Sequence, residues 1–479
     1  MNRDLSEIGV DGEGAAIALR DPSEALTFDE MRDRIADGAR MLRQHGVRPG
    51  DAVLLATRNC VSDLIDLLAI LRIRGVAVPL RDADASSAVS EYARRTGARF
   101  MMTCGQAAVV GEHAEVGLDE LNGAALVLFT SGSTGEPKGA ILESTVFHGK
   151  LDAIASVVPF DIGMRTLVSL RMSFGFGIWV ALLTLRSGGT VELADLSVAD
   201  ALQTLCARRV ERWAVVPTML RALLAKRSTA AICPLVKRLR CERSLHDIVT
   251  GGEVLGPAVH EAIAEIVPGV GIYDVFGLTE TSTSDFILGP HARQDEVGSV
   301  GYPTPGVRFR LTTVDGSVVV DGEPGELEIL TPFRMRGYLR RVDLTEKSFS
   351  EGYFRTGDVA RRRANGALEI LGRSKEIIVR GGVKISPVEV EHAVTAHPSV
   401  SNALAVGVSD PVLGESVWVG VVYCHGQHIE PDELRAFLLA RVERHLVPDR
   451  IVALEELPAG PTGKSSRAQL RKRFERYAS

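Results

Sequence analysis

At 479 residues the chain exceeds what one hydrophobic core organises, so two or three domains are expected. A hydrophobic content of 45% supports complete folding, and 55 basic against 61 acidic residues leave a net charge of −6, which argues against a nucleic-acid partner. Six cysteines (Cys60, Cys104, Cys206, Cys233, Cys241, Cys424) form no CxxC pair and read as reduced core thiols, not as a disulfide framework or zinc site. In chain order, the opening Met-Asn-Arg-Asp-Leu-Ser-Glu is too polar for a signal peptide. Residues 28–45 alternate apolar and charged positions at helical spacing, 46–51 make a turn, and 52–56 read as a strand. A helix over 62–73 ends before Gly75, and its most apolar stretch, 64–71, is cut by Asp66 and closed by Arg72. No segment is expected to span a bilayer, and the protein is expected to be cytoplasmic.

A buried strand follows at 76–80. Another apolar run, 124–129, is expected to break into a loop holding Thr130, Ser131, Gly132, Ser133, Thr134, Gly135 and Gly139, with Lys138 among them. Glycines let backbone N–H groups turn toward an anion, hydroxyls add donors and Lys138 adds charge, which together make a polyphosphate cradle. It is not the GxxxxGK[ST] loop, because Pro137 precedes Lys138 and Gly139 follows it. Strand–helix alternation recurs through 213–217, 219–226 and 257–266, which signals layered α/β architecture. Within Ile-Tyr-Asp-Val-Phe-Gly-Leu-Thr-Glu-Thr (272–281), Phe276 offers a flat face to a purine and Gly277 permits close approach. Thr279 can donate to a phosphate there, and Glu280 can ligate magnesium. From about residue 296 short runs with Gly and Pro turns suggest a β-rich subdomain. After Arg373 the chain starts again: a hairpin over 377–385 turning at Gly381-Gly382, a helix over 387–396, strands at 403–408 and 417–424, and a helix over 432–442. That is enough for a small α+β domain, taken as 374–479 after an N-terminal core of 1–373.

Six motifs occur in a recognisable order. They are the Ser/Thr/Gly loop with Lys138, Gly251-Gly252-Glu253, Phe276-Gly-Leu-Thr-Glu280, Gly325-Glu-Leu with Arg336-Gly-Tyr-Leu339, Tyr353-Phe-Arg-Thr-Gly-Asp358, and Leu371-Gly-Arg373 running through Glu391. The chain also carries Leu457-Pro-Ala-Gly-Pro-Thr-Gly-Lys464-Ser-Ser-Arg467, a near miss to a P-loop with Pro458 at the first glycine position. Across roughly residues 25 to 470 the sequence resembles the adenylate-forming superfamily of acyl- and aryl-CoA synthetases, peptide-synthetase adenylation domains and luciferases. The resemblance implies that Gly251, Gly252, Glu253 and Phe276 line the nucleotide site, with Phe276 standing where the family usually has Tyr. Stacking needs only the ring. It further implies that Asp358 holds the ribose, that Arg373 reaches the nucleotide, and that Lys464 is the catalytic lysine alongside Thr279 and Glu280. Lys375 takes the position of the hinge about which a mobile C-terminal domain swings.

The acid pocket is implied by the same resemblance to lie at Phe174, Gly175, Phe176 and Gly177, with Gly251 and Gly277. Amino-acid-activating relatives carry Asp where this chain has Gly175. Burying an unpaired ammonium costs several kcal/mol, so an α-amino acid is disfavoured. Phe174, Phe176 and Trp179 suggest an apolar or aromatic acid, with Gly175 and Gly177 leaving room. The Gly381-Gly382 turn resembles the one lining the pantetheine tunnel of thioester-forming relatives. The expected activity is an ATP- and Mg²⁺-dependent ligase that forms acyl-AMP and then a coenzyme A thioester. A free-standing ligase that loads a carrier protein or an amine is the alternative, and a non-catalytic nucleotide-binding protein is the rival from another class.

Overall fold

The computed structural model describes residues 5–7, 12–81, 86–110, 118–131, 137–458 and 465–478. Two large sheets dominate the N-terminal part. Among the described residues, one is seven-stranded, with the central strands Ala52–Thr57, Val76–Arg81 and Ala124–Ser131 side by side and parallel. The other is nine-stranded, and its parallel centre runs Thr190–Leu193, Arg165–Ser169, Arg212–Val215, Asp247–Gly251, Gly271–Phe276. One apolar core joins them, drawing Val53, Leu55 and Leu126 from the first and Val168, Leu193 and Val249 from the second. Helices Val61–Arg72 and Gly175–Arg186 contribute to that core and are buried nearly all round, as helices packed between layers must be. Neither is long and apolar enough to cross a membrane, nor is any other helix among the described residues.

Local chemistry explains where these elements begin. Thr27 caps Phe28–Gln44 in a reciprocal box with Glu30. Asp63 accepts from the N–H groups of Arg58, Asn59 and Cys60 at 2.8, 2.6 and 3.2 Å, which closes the start of Val61–Arg72. The helix expected at 219–226 begins earlier, as Pro217–Lys226, because Pro217 sits at a first-turn position where no N–H is needed.

A third, antiparallel sheet pairs Arg308–Thr312, Pro324–Leu330, Tyr353–Arg362 and Leu368–Arg373. The fourth belongs to the smaller C-terminal α/β part. There the hairpin of Ile378–Arg380 with Val383–Ile385 joins a long pair, Val400–Asp410 with Gly414–Tyr423. Its own core uses Ile378, Val390, Val419, Leu434 and Leu438. The two strands expected at 403–408 and 417–424 are longer than read, since the pairing runs on through polar Ser409 and Glu415. Helix Pro431–Leu439 is shorter than the 432–442 expectation. This part packs on the rest through Ser386, whose hydroxyl donates to the Leu371 carbonyl, and through Arg361, 3.4 Å from Glu389.

One expectation about the strands of the seven-stranded sheet is corrected outright. Thr130, Ser131 and Gly139 are not loop residues. Strand Ala124–Ser131 pairs antiparallel with Pro137–Glu143, with Phe129 opposite Gly139, Thr130 opposite Lys138 and Ser131 opposite Pro137. Ser, Thr and Gly composition suggests a loop, but a paired partner strand satisfies the backbone almost to the tip.

Candidate active site

The paired strands Ala124–Ser131 and Pro137–Glu143 underlie the site. The second strand pairs with Gly337–Tyr338, Gly337 opposite Ile141 and Tyr338 opposite Ala140. Further backbone bonds run from Arg336 N–H to Ile141 O at 2.9 Å and from Leu339 N–H to Gly139 O at 2.8 Å. Tyr338 donates its hydroxyl to Glu280 Oε1 at 2.8 Å, and Lys138 Nζ lies 5.4 Å from the centroid of the same ring. Burial and the Glu280 carboxylate raise the Tyr338 phenol well above its ordinary range, so it stays a neutral donor. Met335 N–H donates to the Glu280 carbonyl at 2.8 Å. Three separated motifs thus meet around Glu280 and Lys138. Gly132, Ser133, Thr134, Gly135, the Ser131 side chain and Lys464 lie outside the described residues.

Glu280 and Thr279 sit in a one-turn helix, Thr279–Thr281, directly after strand Gly271–Phe276. Ser282, Thr283 and Ser284 then adopt φ of 60°, 71° and 46°, three consecutive left-handed non-glycine residues. This bend brings the Ser284 backbone against Gly277, where an added Cβ would lie 2.1 Å from Ser284 N. Gly251 is similarly forced, with its absent Cβ 2.1 Å from Val275 O. Both glycines are required by backbone approach, whatever surface they also offer a ligand. Phe276 is half-buried, its ring centroid 6.2 Å from that of Phe286.

Two carboxylates nearby are set up as acceptors. Asp358 is 4% exposed and pairs with Arg373 Nε at 2.8 Å, while its Oδ2 is buried with no hydrogen-bond partner. Burial pushes its carboxyl up to about 6, and Arg373 offsets only part of that. A buried oxygen without a donor fits the hydroxyl of a bound sugar. Glu253 is already engaged, since its Oε2 accepts from Thr218 at 2.7 Å and from Arg221 at 2.9 Å. Its buried Oε1 has no partner, and Gly252 before it turns at φ 84°. Among the described residues no three acidic, histidine or cysteine side chains group as a metal cage. A single accessible carboxylate at Glu280 suits magnesium carried largely by phosphate oxygens.

The start of helix Gly175–Arg186 faces this region. A Cβ on Gly175 would lie 3.4 Å from Leu128 Cδ1 and 3.9 Å from Thr283 Cβ. Gly177 does not leave room, because a Cβ there would stand 2.8 Å from the Arg171 carbonyl oxygen. Trp179 is core, fully buried and stacked on Phe176 with centroids 5.5 Å apart, which leaves Phe174 and the outer part of Phe176 half-buried. Lys375 lies in the turn 374–376, and Gly381 and Gly382, at φ 56° and 84°, make an exposed hairpin turn. Sequence reading missed the roles of Tyr338 and Arg221. Tyr338 stands inside a quoted motif, whereas nothing in the sequence couples Arg221 to Glu253.

The AMP-binding enzyme family matches residues 9–123 and 115–339, and the AMP-binding enzyme C-terminal domain matches 389–464. A feruloyl-CoA synthase from Amycolatopsis sp is 31% identical over 492 residues, covering 96% of each chain. The solved structure of the anthranilate CoA ligase AuaEII with anthranoyl-AMP has the same fold, with TM-score 0.87 at 21% identity, covering 99% of this chain and 98% of that one. The amide bond synthetase McbA from Marinactinospora thermotolerans superposes with TM-score 0.84 at 26% identity, covering 98% and 99%. With sequence likeness along almost its whole length and both parts of the fold in place, the chain belongs to the AMP-binding, adenylate-forming enzyme family.

Proposed function

We propose that this enzyme activates a carboxylic acid lacking an α-amino group, apolar or aromatic in character, as its acyl-adenylate, and then passes the acyl group to coenzyme A. The observation that carries the reading is the meeting of Glu280 with the Lys138 strand through the Tyr338 hydroxyl. In the first step a carboxylate oxygen attacks the α-phosphorus of ATP, the bond to the β-phosphate bridging oxygen breaks, and pyrophosphate leaves. Lys138, the hydroxyls of the 130–135 stretch and the N–H groups of 132–135 bind the phosphates, Asp358 and Arg373 hold the ribose end, and Phe276 stacks on the purine. Magnesium, which Glu280 would hold, neutralises phosphate charge as a Lewis acid. Lys464 bridges the carboxylate and the α-phosphate, where negative charge develops. In the second step the thiol sulfur attacks the acyl carbon, AMP departs and the thiol proton passes to solvent. That step brings the Gly381-Gly382 face inward by rotation of the C-terminal part about Lys375. An amine acceptor is the second reading, favoured by the likeness to McbA at 26% identity; loading of a carrier protein is a further variant of the transfer step.

Pyrophosphate release with a panel of acids tests the reading, followed by mass spectrometry of the product formed with coenzyme A, an amine or a carrier protein. Acids without an α-amino group should be preferred, because no side chain at Gly175 can pair a buried ammonium. Efficient turnover of a free α-amino acid would sink the pocket assignment.

Lys464→Ala should slow acyl-AMP formation by about a hundredfold or more, as for loss of an oriented electrostatic donor, and leave conversion of supplied acyl-AMP nearly intact. Equal loss in both half-reactions would remove Lys464 from its role. Lys375→Pro fixes φ near −65° and should keep single-turnover pyrophosphate release while acyl-AMP accumulates on the enzyme. Wild-type thioester formation by that variant would place the pivot elsewhere.

Asp358 yields a pH prediction. Its raised carboxyl is protonated below about 6, which converts an acceptor oxygen into a donor facing ribose hydroxyls. ATP affinity measured by calorimetry should therefore weaken as pH falls through about 6. Asp358→Asn should bind ATP more weakly at neutral pH and lose that step; an unchanged step in the variant would assign it to another group.

A further inference from the structure

Lys150 lies in the middle of helix Ser144–Ala155, fully buried, with its ammonium 2.9 Å from Oδ1 of an equally buried Asp285. Thr304 Oγ1 is 3.4 Å from the ammonium, and the Phe333 ring centroid is 5.4 Å away. The other Asp285 oxygen accepts from the hydroxyl of Thr281, the residue after Glu280. Two charges withdrawn from water gain little net stability, and apolar residues of similar volume often serve the fold as well. Specification of one geometry is the better-attested use of such a pair.

What it holds is a backbone that would not otherwise keep its shape. Ser282, Thr283 and Ser284 are all left-handed, a conformation L-residues adopt singly and that persists only where surroundings over-determine it. Specific hydrogen bonds make up those surroundings. Thr304 N–H donates to Asp285 O at 2.8 Å, the Thr304 hydroxyl donates to Ser284 O at 3.3 Å, and Thr283 N–H donates to Leu278 O at 2.8 Å. Among the described residues the Glu280 turn is further held by Ser282 N–H on the Thr279 carbonyl at 3.1 Å and by Thr281, whose N–H and hydroxyl each lie 3.2 Å from the Leu278 carbonyl and whose hydroxyl also reaches Asp285.

We propose that the buried Lys150–Asp285 pair, acting through the Thr281 hydroxyl, is the positioning device that aims Glu280 at the cation accompanying ATP. The proposal rests on the reading of Glu280 as the magnesium ligand. Lys150, Asp285 and Thr281 touch neither nucleotide nor acid in it; they set the angle of the residue that does.

Thr281→Val tests it, since it keeps the shape of the side chain, removes the donor and leaves the ion pair in place. Thr281→Ser restores the donor, and Glu280→Gln is the control. ATP is titrated calorimetrically at a series of free magnesium concentrations, without any acid, and melting is followed in parallel. Thr281→Val should need about tenfold more magnesium for the same ATP affinity, the scale of one hydrogen bond to a charged group, while Thr281→Ser tracks the wild type. A Thr281→Val protein with wild-type magnesium dependence, whatever its melting temperature, overturns the positioning role. If Glu280→Gln also leaves that dependence unchanged, the metal assignment fails and the proposal falls with it; if Glu280→Gln shifts it and Thr281→Val does not, only the positioning role is lost. Should Thr281→Val fail to fold, Thr281→Ala carries the same expectation.

Discussion

The site exists because a two-residue strand, Gly337–Tyr338, pairs with the second strand of the 124–143 hairpin. Backbone pairing fixes the register, and the register decides that the Tyr338 ring stands beside Lys138 and its hydroxyl reaches Glu280. A slip of one residue would turn Tyr338 to the opposite face and separate these groups, because strand side chains alternate. Arg336 reinforces the register by pairing with Glu143 at 2.8 Å and donating to the Glu120 carbonyl at 2.6 Å. The segments that make the site are far apart in sequence and are joined mainly by main-chain bonds.

Close backbone approach is the second constraint. Gly251 and Gly277 look like ligand-facing glycines, yet the carbonyl of Val275 and the amide of Ser284 already occupy the space a side chain would need. The strand ends and the left-handed 282–284 segment are thereby drawn together behind the position of Glu280. Compactness of that corner, more than openness toward a ligand, explains why no larger residue fits.

Buried carboxylates supply the polarity. Asp358, Asp285 and Asp274 are all raised, chiefly by burial, with Asp274 pushed up to about 8. Their partners differ: Asp285 has a buried ammonium at 2.9 Å, whereas Asp358 has one guanidinium and an oxygen left over. The first arrangement is complete and holds shape. The second is incomplete, as suits a group that waits for a donor from a ligand.

Much was legible in the sequence. A continuous apolar run and apolar positions at helical spacing located Ala52–Thr57, Phe28–Gln44 and Val61–Arg72, because burial leaves its mark directly on composition. Ordered motifs indicated the family, and they singled out Lys138, Glu280, Asp358 and Arg373 as candidates, since anion cradles and diol acceptors need particular residue types. Tertiary structure alone decided that Thr130, Ser131 and Gly139 are strand, that Trp179 is core and that Gly177 is a contact point with no spare room. It alone coupled Arg221 to Glu253, and Lys150 to Asp285 and Thr281. Those pairings depend on which strands lie side by side and how closely backbones approach, and such long-range distances leave no local periodicity to read.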